Sequence, residues 1–246
     1  MSPRSPRRRL WPWVVDVTLV VLILLMGLAG SVGAYRSLAL KVAGQQRELL
    51  NAMGQSVVSA FDLQLVRVVE TLQATGQMLS AQAQLSRAQF ARYGAGLLGD
   101  SSALSLLEWQ PVVRHAQLAE FEKQAALEQP GYRVVEPAPD FQADGFVPVR
   151  ERELHVPVRY SWPESGAAVG VDMAFDPRRM SSKMLARDAG VPIASETFPL
   201  IRRGQQSEAV NGFAISAPVY RGARPAGVEE RRRELAGFLA GVIELP

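Results

Sequence analysis

A basic tip, Arg4, Arg7, Arg8 and Arg9, meets a run from Val17 to Tyr35 that carries no charge, and this junction constrains the chain more than any other feature. At about 1.5 Å of rise per residue, such a run spans a hydrocarbon core roughly 30 Å thick. The arginines flank one end only. The positive-inside bias therefore predicts a cytoplasmic N-terminus and sends everything after Tyr35 to the periplasmic side of an inner membrane. A cleavable signal peptide is the competing reading, because Ser31-Val32-Gly33-Ala34 offers small residues to a peptidase. The run is longer than a usual signal core and a helix follows in phase with it, which favours a retained anchor. Asp16 stands at the cytoplasmic edge, as a tolerated edge charge or paired with Arg9.

The chain has 27 Lys and Arg against 24 Asp and Glu, a formal charge of +3. Four of those arginines, and Asp16, precede Arg36, so the exported part carries 23 of each sign. Its basicity is a topology signal, and nucleic acid is not an expected partner. The absence of cysteine excludes disulfides, thiolate metal sites and cysteine nucleophiles, and it suits a bacterial periplasm.

No proline occurs between Pro12 and Pro111, in a chain with 16 of them, so a long helix is expected. From Leu50 the apolar positions step by three or four: Met53, Val57, Phe61, Leu65, Val68, Leu72, then Leu79. Residues 36–85 read as a stalk helix continuing from the membrane. A helix this long exceeds what one small domain can cover, so its membrane-proximal half is expected to form a homodimer and its distal half to pack on its own domain.

Ser86 is the predicted N-cap of a shorter helix carrying Phe90, Tyr93 and Leu97. Strands are expected at 103–113, 132–136, 156–162, 192–195, 198–202, 212–220 and 237–245, with a helix at 116–128. Asp176-Pro177 has the form of a helix start, and Gly190 that of its stop. The order lacks βαβ regularity, which gives an α+β fold with a mainly antiparallel sheet. The organisation predicted is a basic tip at 1–12, a transmembrane helix at 13–35, a stalk at 36–85 and a sensor domain at 86–246.

Several short segments carry more than pattern. They are Phe90-x-x-Tyr93-Gly94, Leu107-Glu108-Trp109-Gln110-Pro111-Val112-Val113-Arg114 with Phe121-Glu122, and Gly170-Val171-Asp172-Met173-x-x-Asp176-Pro177. Ala186-Arg187-Asp188-x-Gly190, Phe198-Pro199-Leu200-Ile201, Ala217-Pro218-Val219-Tyr220 and Gly237-Phe238-Leu239-Ala240-Gly241-Val242 follow. In this order they resemble the CHASE family, extracytoplasmic sensory domains of receptor histidine kinases and nucleotide cyclases. The resemblance covers about Phe90 to Leu245. It implies a stalk followed by two PAS-like lobes, with a small-molecule ligand in the membrane-distal one.

The resemblance also assigns candidate ligand residues. Asp172 matches the aspartate that hydrogen-bonds adenine-type ligands in plant cytokinin receptors; its alternative role is to cap the turn before the next helix. Phe198 and Leu200 match a second pocket strand, with core packing as the alternative. Ala194 stands where those receptors are expected to carry a larger apolar residue, and Tyr160, on the strand at 156–162, completes the set. No glycine-rich phosphate loop, paired catalytic acids or HExxH spacing occurs, so no cofactor and no enzyme activity are expected within this chain. His115 and His155 are expected to be structural or superficial. The chain reads as the input part of a larger receptor, with a stand-alone membrane-anchored binding or scaffold protein as the rival.

Overall fold

The computed structural model describes Leu19, Leu22, residues 25–28, 30 and 31, then 62–81, 85–99, 103–138, 145–164, 168–201 and 210–245. Two compact units result, residues 1–61 and residues 62–246. In the first, the described residues are helical, and Leu19, Leu22, Leu25, Met26 and Leu28 each expose more than half of their surface. Among the described residues no helix is long and apolar enough to cross a membrane. Most of the expected span, and the dimer positions Leu50, Met53, Val57 and Phe61, lie outside the described residues.

The second unit begins with helix α1 at 62–80. Helix α2, Arg87–Leu97, starts on a capping box in which Ser86 and Gln89 satisfy each other's backbone N–H. Strands β1, Leu106–Pro111, and β2, Val113–Arg114, lead to α3, Leu118–Glu128. Short strands follow: β3, Val135–Pro137; β4, Phe146–Pro148; β5, Leu154–His155; and β6, Tyr160–Trp162. Helix α4, Pro177–Ala189, has Asp176 as N-cap, proline in its first turn and Gly190 in the left-handed conformation after it. Then come β7, Ile193–Ala194; β8, Phe198–Pro199; β9, Asn211–Tyr220; α5, Val228–Glu234; and β10, Leu235–Glu244.

The expected α+β architecture is present. Six strands form one antiparallel sheet in the order β6-β1-β10-β9-β7, with β8 also on β9, while β2 with β5 and β3 with β4 form two ribbons. The strand expected at 156–162 is interrupted. Pro157 has no N–H to give a ladder, and it makes only a bridge to Asp172 between β5 and β6.

Register decides what each face of the sheet carries. Residues directly opposite each other in an antiparallel pair project to the same side. Leu107, Leu239, Ile215 and Ala217 therefore share one face and pack with Val68, Leu72 and Leu79 of α1 and Phe90 of α2. Leu106, Glu108, Gln110, Ala214, Ser216, Phe238, Ala240 and Val242 share the other, which α4 covers. Each large apolar side chain buried here contributes about 1.5–3 kcal/mol.

Helix α2 approaches the sheet so closely at Gly94 that a Cβ there would stand 2.5 Å from Cβ and Cγ of Trp162 on β6. Gly94→Ala is expected to lower stability by about 1–3 kcal/mol through overpacking, read from urea midpoints of the full chain; Gly96→Ala, whose Cβ would meet nothing within 4 Å, should not lower it.

Candidate functional site

Two polar clusters are buried in the second unit, and they differ in whether the chain satisfies them. The first centres on Asp172, which is wholly buried. Its carboxylate accepts from Val156 N at 2.7 Å and Ala174 N at 3.0 Å, which caps the 3₁₀ turn Met173–Phe175. Arg152 Nη1 donates to it at 2.6 Å, and His155 Nδ1 stands 2.7 Å away. Arg152 also holds Glu136 at 2.6 Å. His155 Nε2 lies 2.9 Å from His115 Nδ1, and with one proton on each Nδ1 every atom of this chain of contacts has a partner. A buried carboxylate needs several donors to be tolerable, and here the protein supplies four.

The second cluster lies between α4 and the sheet. Along α4 the residues turned inward are Arg179, Ser182, Lys183 and Ala186, at the i, i+3, i+4, i+7 spacing of a helix face. Leu185 is left in solvent. Opposite them, Glu108, Ala240 and Ser216 form one row across three strands, with the small Ala240 methyl between the two polar side chains. A cleft with about 30 Å³ of free interior remains there, room for about two waters. Leu106, Met173, Phe198, Leu200 and Val242 make its apolar wall.

Its polar atoms are incompletely paired. Lys183 Nζ donates to Ser216 Oγ at 2.9 Å and stands 5.3 Å from the Phe238 ring centroid. Gln110 Nε2 donates to Glu108 Oε2 at 2.7 Å, but among the described residues Gln110 Oε1 has no hydrogen-bond partner. Arg179 lies over the Phe198 ring at 3.6 Å and gives Nη2 to Pro199 O at 2.7 Å. Among the described residues its Nε makes no hydrogen bond, although it forms an ion pair with Asp176 Oδ2 at 3.6 Å.

Burial shifts the charged groups towards neutrality. It pushes the Lys183 ammonium down to about 7, against partial compensation from Glu108, with Arg179 adding to the depression. It pushes the Arg179 guanidinium down to about 10 despite Asp176 and Glu108. It raises the Glu108 carboxyl above the usual range, although Gln110, Lys183 and Arg179 oppose the shift. Two cations and one acid thus share a cleft with unfilled hydrogen-bonding capacity, an arrangement suited to a polar ligand.

Of the residues singled out in the sequence, Phe198 and Leu200 line this cleft. Asp172 is not among its lining residues, although Met173 beside it is. Ala194 is exposed on β7, paired with Ile215 of β9. Tyr160 stacks on Phe90 at 5.7 Å and its hydroxyl reaches Leu85 O at 3.0 Å, in a separate groove bordered by Trp109 and Arg159. The structure does not bring the five together. Glu108, Gln110, Arg179, Ser182, Lys183 and Ser216 are not among the candidate site residues of the sequence, although Glu108 and Gln110 lie in a segment that carries the resemblance.

The two clusters respond differently to substitution. Asp172→Asn puts amide hydrogens against donors that had a carboxylate, and it should cost about 2–4 kcal/mol in urea unfolding. Lys183→Met removes a buried charge, and below pH 7 it should stabilise the fold by about 1–3 kcal/mol. Between pH 7 and about 10.4 the unfolded chain keeps a proton on Lys183 that the folded chain releases. Wild-type stability therefore recovers as pH rises, and the advantage of Lys183→Met should shrink steadily over that window when both are unfolded at pH 6, 8 and 10.

Among curated proteins none matches the chain. The family profile described as CHASE domain matches residues 83–246, a range that holds both clusters and every strand of the sheet. The motifs, the antiparallel sheet and the profile agree, and the chain belongs to the CHASE-domain family of sensory modules.

Proposed function

We propose that the chain is the extracytoplasmic input module of a membrane receptor, which binds a small molecule in the cleft under α4 and passes its state to α1 and the stalk. One observation carries the reading: the cleft buries Lys183, Arg179, Glu108 and Gln110, and among the described residues Gln110 Oε1 and Arg179 Nε are left without a hydrogen-bond partner. Buried ionisable groups cost stability unless paired, so their retention in this cleft fits selection for a ligand. The exposed apolar side chains at Leu19–Leu28 and the one-sided arginines support an anchor at 13–35, with a periplasmic sensor and a histidine kinase or a diguanylate or adenylate cyclase as output. Dimerisation through the membrane-proximal stalk would give the output its two-fold partner.

Signalling needs two states that the ligand distinguishes. The path proposed is short. Ser216, in the cleft, is flanked in β9 by Ile215 and Ala217, which pack in the α1 core. Ser216→Leu fills the cleft without touching α1. In the full chain joined to a cyclase output, this variant should fold, assemble and lose at least tenfold of its response to periplasmic extract. An unaltered response would place sensing elsewhere in the chain.

A further inference from the structure

The polar atoms of the cleft fall into two groups with different demands, and together they describe a ligand. From α4 come Lys183, whose Nζ meets one hydrogen-bond acceptor among the described residues, and Arg179, whose Nε meets none. Both are donors only. From β1 come Glu108 and Gln110, the latter's Oε1 a buried acceptor with no donor among the described residues. Lys183 and Glu108 act on each other electrostatically without forming an ion pair. Ser182, Ser195 and Ser216 also line the cleft and the rest of the wall is apolar; the free interior is about 30 Å³, so a ligand of six heavy atoms enters as α4 moves off the sheet.

Building on the sensing function proposed above, we infer that this cleft recognises a small carboxylate bearing a hydrogen-bond donor on the adjacent carbon, of the 2-hydroxy or 2-amino acid type. The carboxylate lies against Lys183 and Arg179. The neighbouring hydroxyl or ammonium donates to Gln110 Oε1 and Glu108. Such a molecule completes both sets of groups at once, which a bare anion or a neutral apolar molecule cannot do. A phosphate dianion would bring a second negative charge against Glu108 and has no donor on an adjacent carbon to offer Gln110 Oε1.

Proton linkage gives a second signature. The charged groups that face Lys183 are Glu108 from β1 and Arg179 from its own helix, while β9 and β10 present Ser216 and Phe238. The empty site releases the Lys183 proton near pH 7, so a carboxylate that requires the ammonium must take a proton up as it binds. Its affinity should fall as pH rises, approaching tenfold per unit above pH 7.

Calorimetric titration of the full chain in detergent with lactate, alanine, acetate, propan-2-ol and phosphate tests this. Lactate or alanine should bind at least tenfold more tightly than acetate, with no heat from propan-2-ol or phosphate. Lys183→Met should abolish binding, and Gln110→Leu should erase the preference over acetate. Heat from none of the five, equal affinities for acetate and lactate, a pH-independent affinity, or binding that survives Lys183→Met would each overturn the inference. The sensing reading is judged separately, by whether Ser216→Leu silences the response to periplasmic extract. A chain that keeps that response in wild type, loses it in Ser216→Leu and ignores all five probes has the site but another ligand class.

Discussion

Strand β10 sets the terms for everything around it. It pairs with β1 on one side and β9 on the other, and all of it but Ala236 and Glu244 is buried. A strand covered on both faces allows no slip, because a shift of one residue would exchange the two faces entirely. Leu239 and Ile243 then belong to the α1 core, and Phe238, Ala240 and Val242 to the α4 side. The row Glu108–Ala240–Ser216 follows from that register alone. The cleft is therefore a consequence of how β10 is held, with the smallest side chain of the row at its centre.

What sits in the row is costly. Lys183, Arg179 and Glu108 are taken out of water, and the hydrogen bonds offered in return are too few. The Asp172 cluster shows how the same fold handles a buried charge when the charge is structural: four donors converge on one carboxylate, two of them backbone N–H groups. Side by side, the two clusters separate a satisfied network from an unsatisfied one. Function is better sought in the second, because none of the described residues completes it.

Punctuation was the most legible part of the sequence. Ser86, Asp176-Pro177 and Gly190 marked helix ends where the structure has them, because caps and left-handed glycines are local chemistry. The long strands β9 and β10 were legible from continuous apolar runs, whereas Pro157 split a strand whose alternation looked intact. The site was largely hidden for a definable reason. Nothing local in Leu106–Pro111 or in α4 marks Glu108, Gln110, Arg179 or Lys183 as buried, since such side chains ordinarily face water, and only the tertiary contact between the two elements makes both dry. Leu185 in solvent and Lys183 in the core are the two halves of one inversion of the usual rule. Phe198 and Leu200, matched through the family resemblance, line the cleft, while Asp172, matched the same way, sits in the satisfied cluster.

The proximity of the cleft to α1 matters for any signal. Between Ser216 on one face and the α1 core on the other lies a single strand thickness, and α1 touches that strand through Leu72, Val68 and Leu79 with Ile215, Ala217 and Val219. Well-packed interiors yield little, so under the proposed function a change in the separation of α4 from the sheet would reach α1 as displacement. A ligand larger than the about 30 Å³ of free interior would move α4 away from β1, across the same cleft. The strands between them are those on which α1 rests, and a ligand a few atoms across would be large enough to matter.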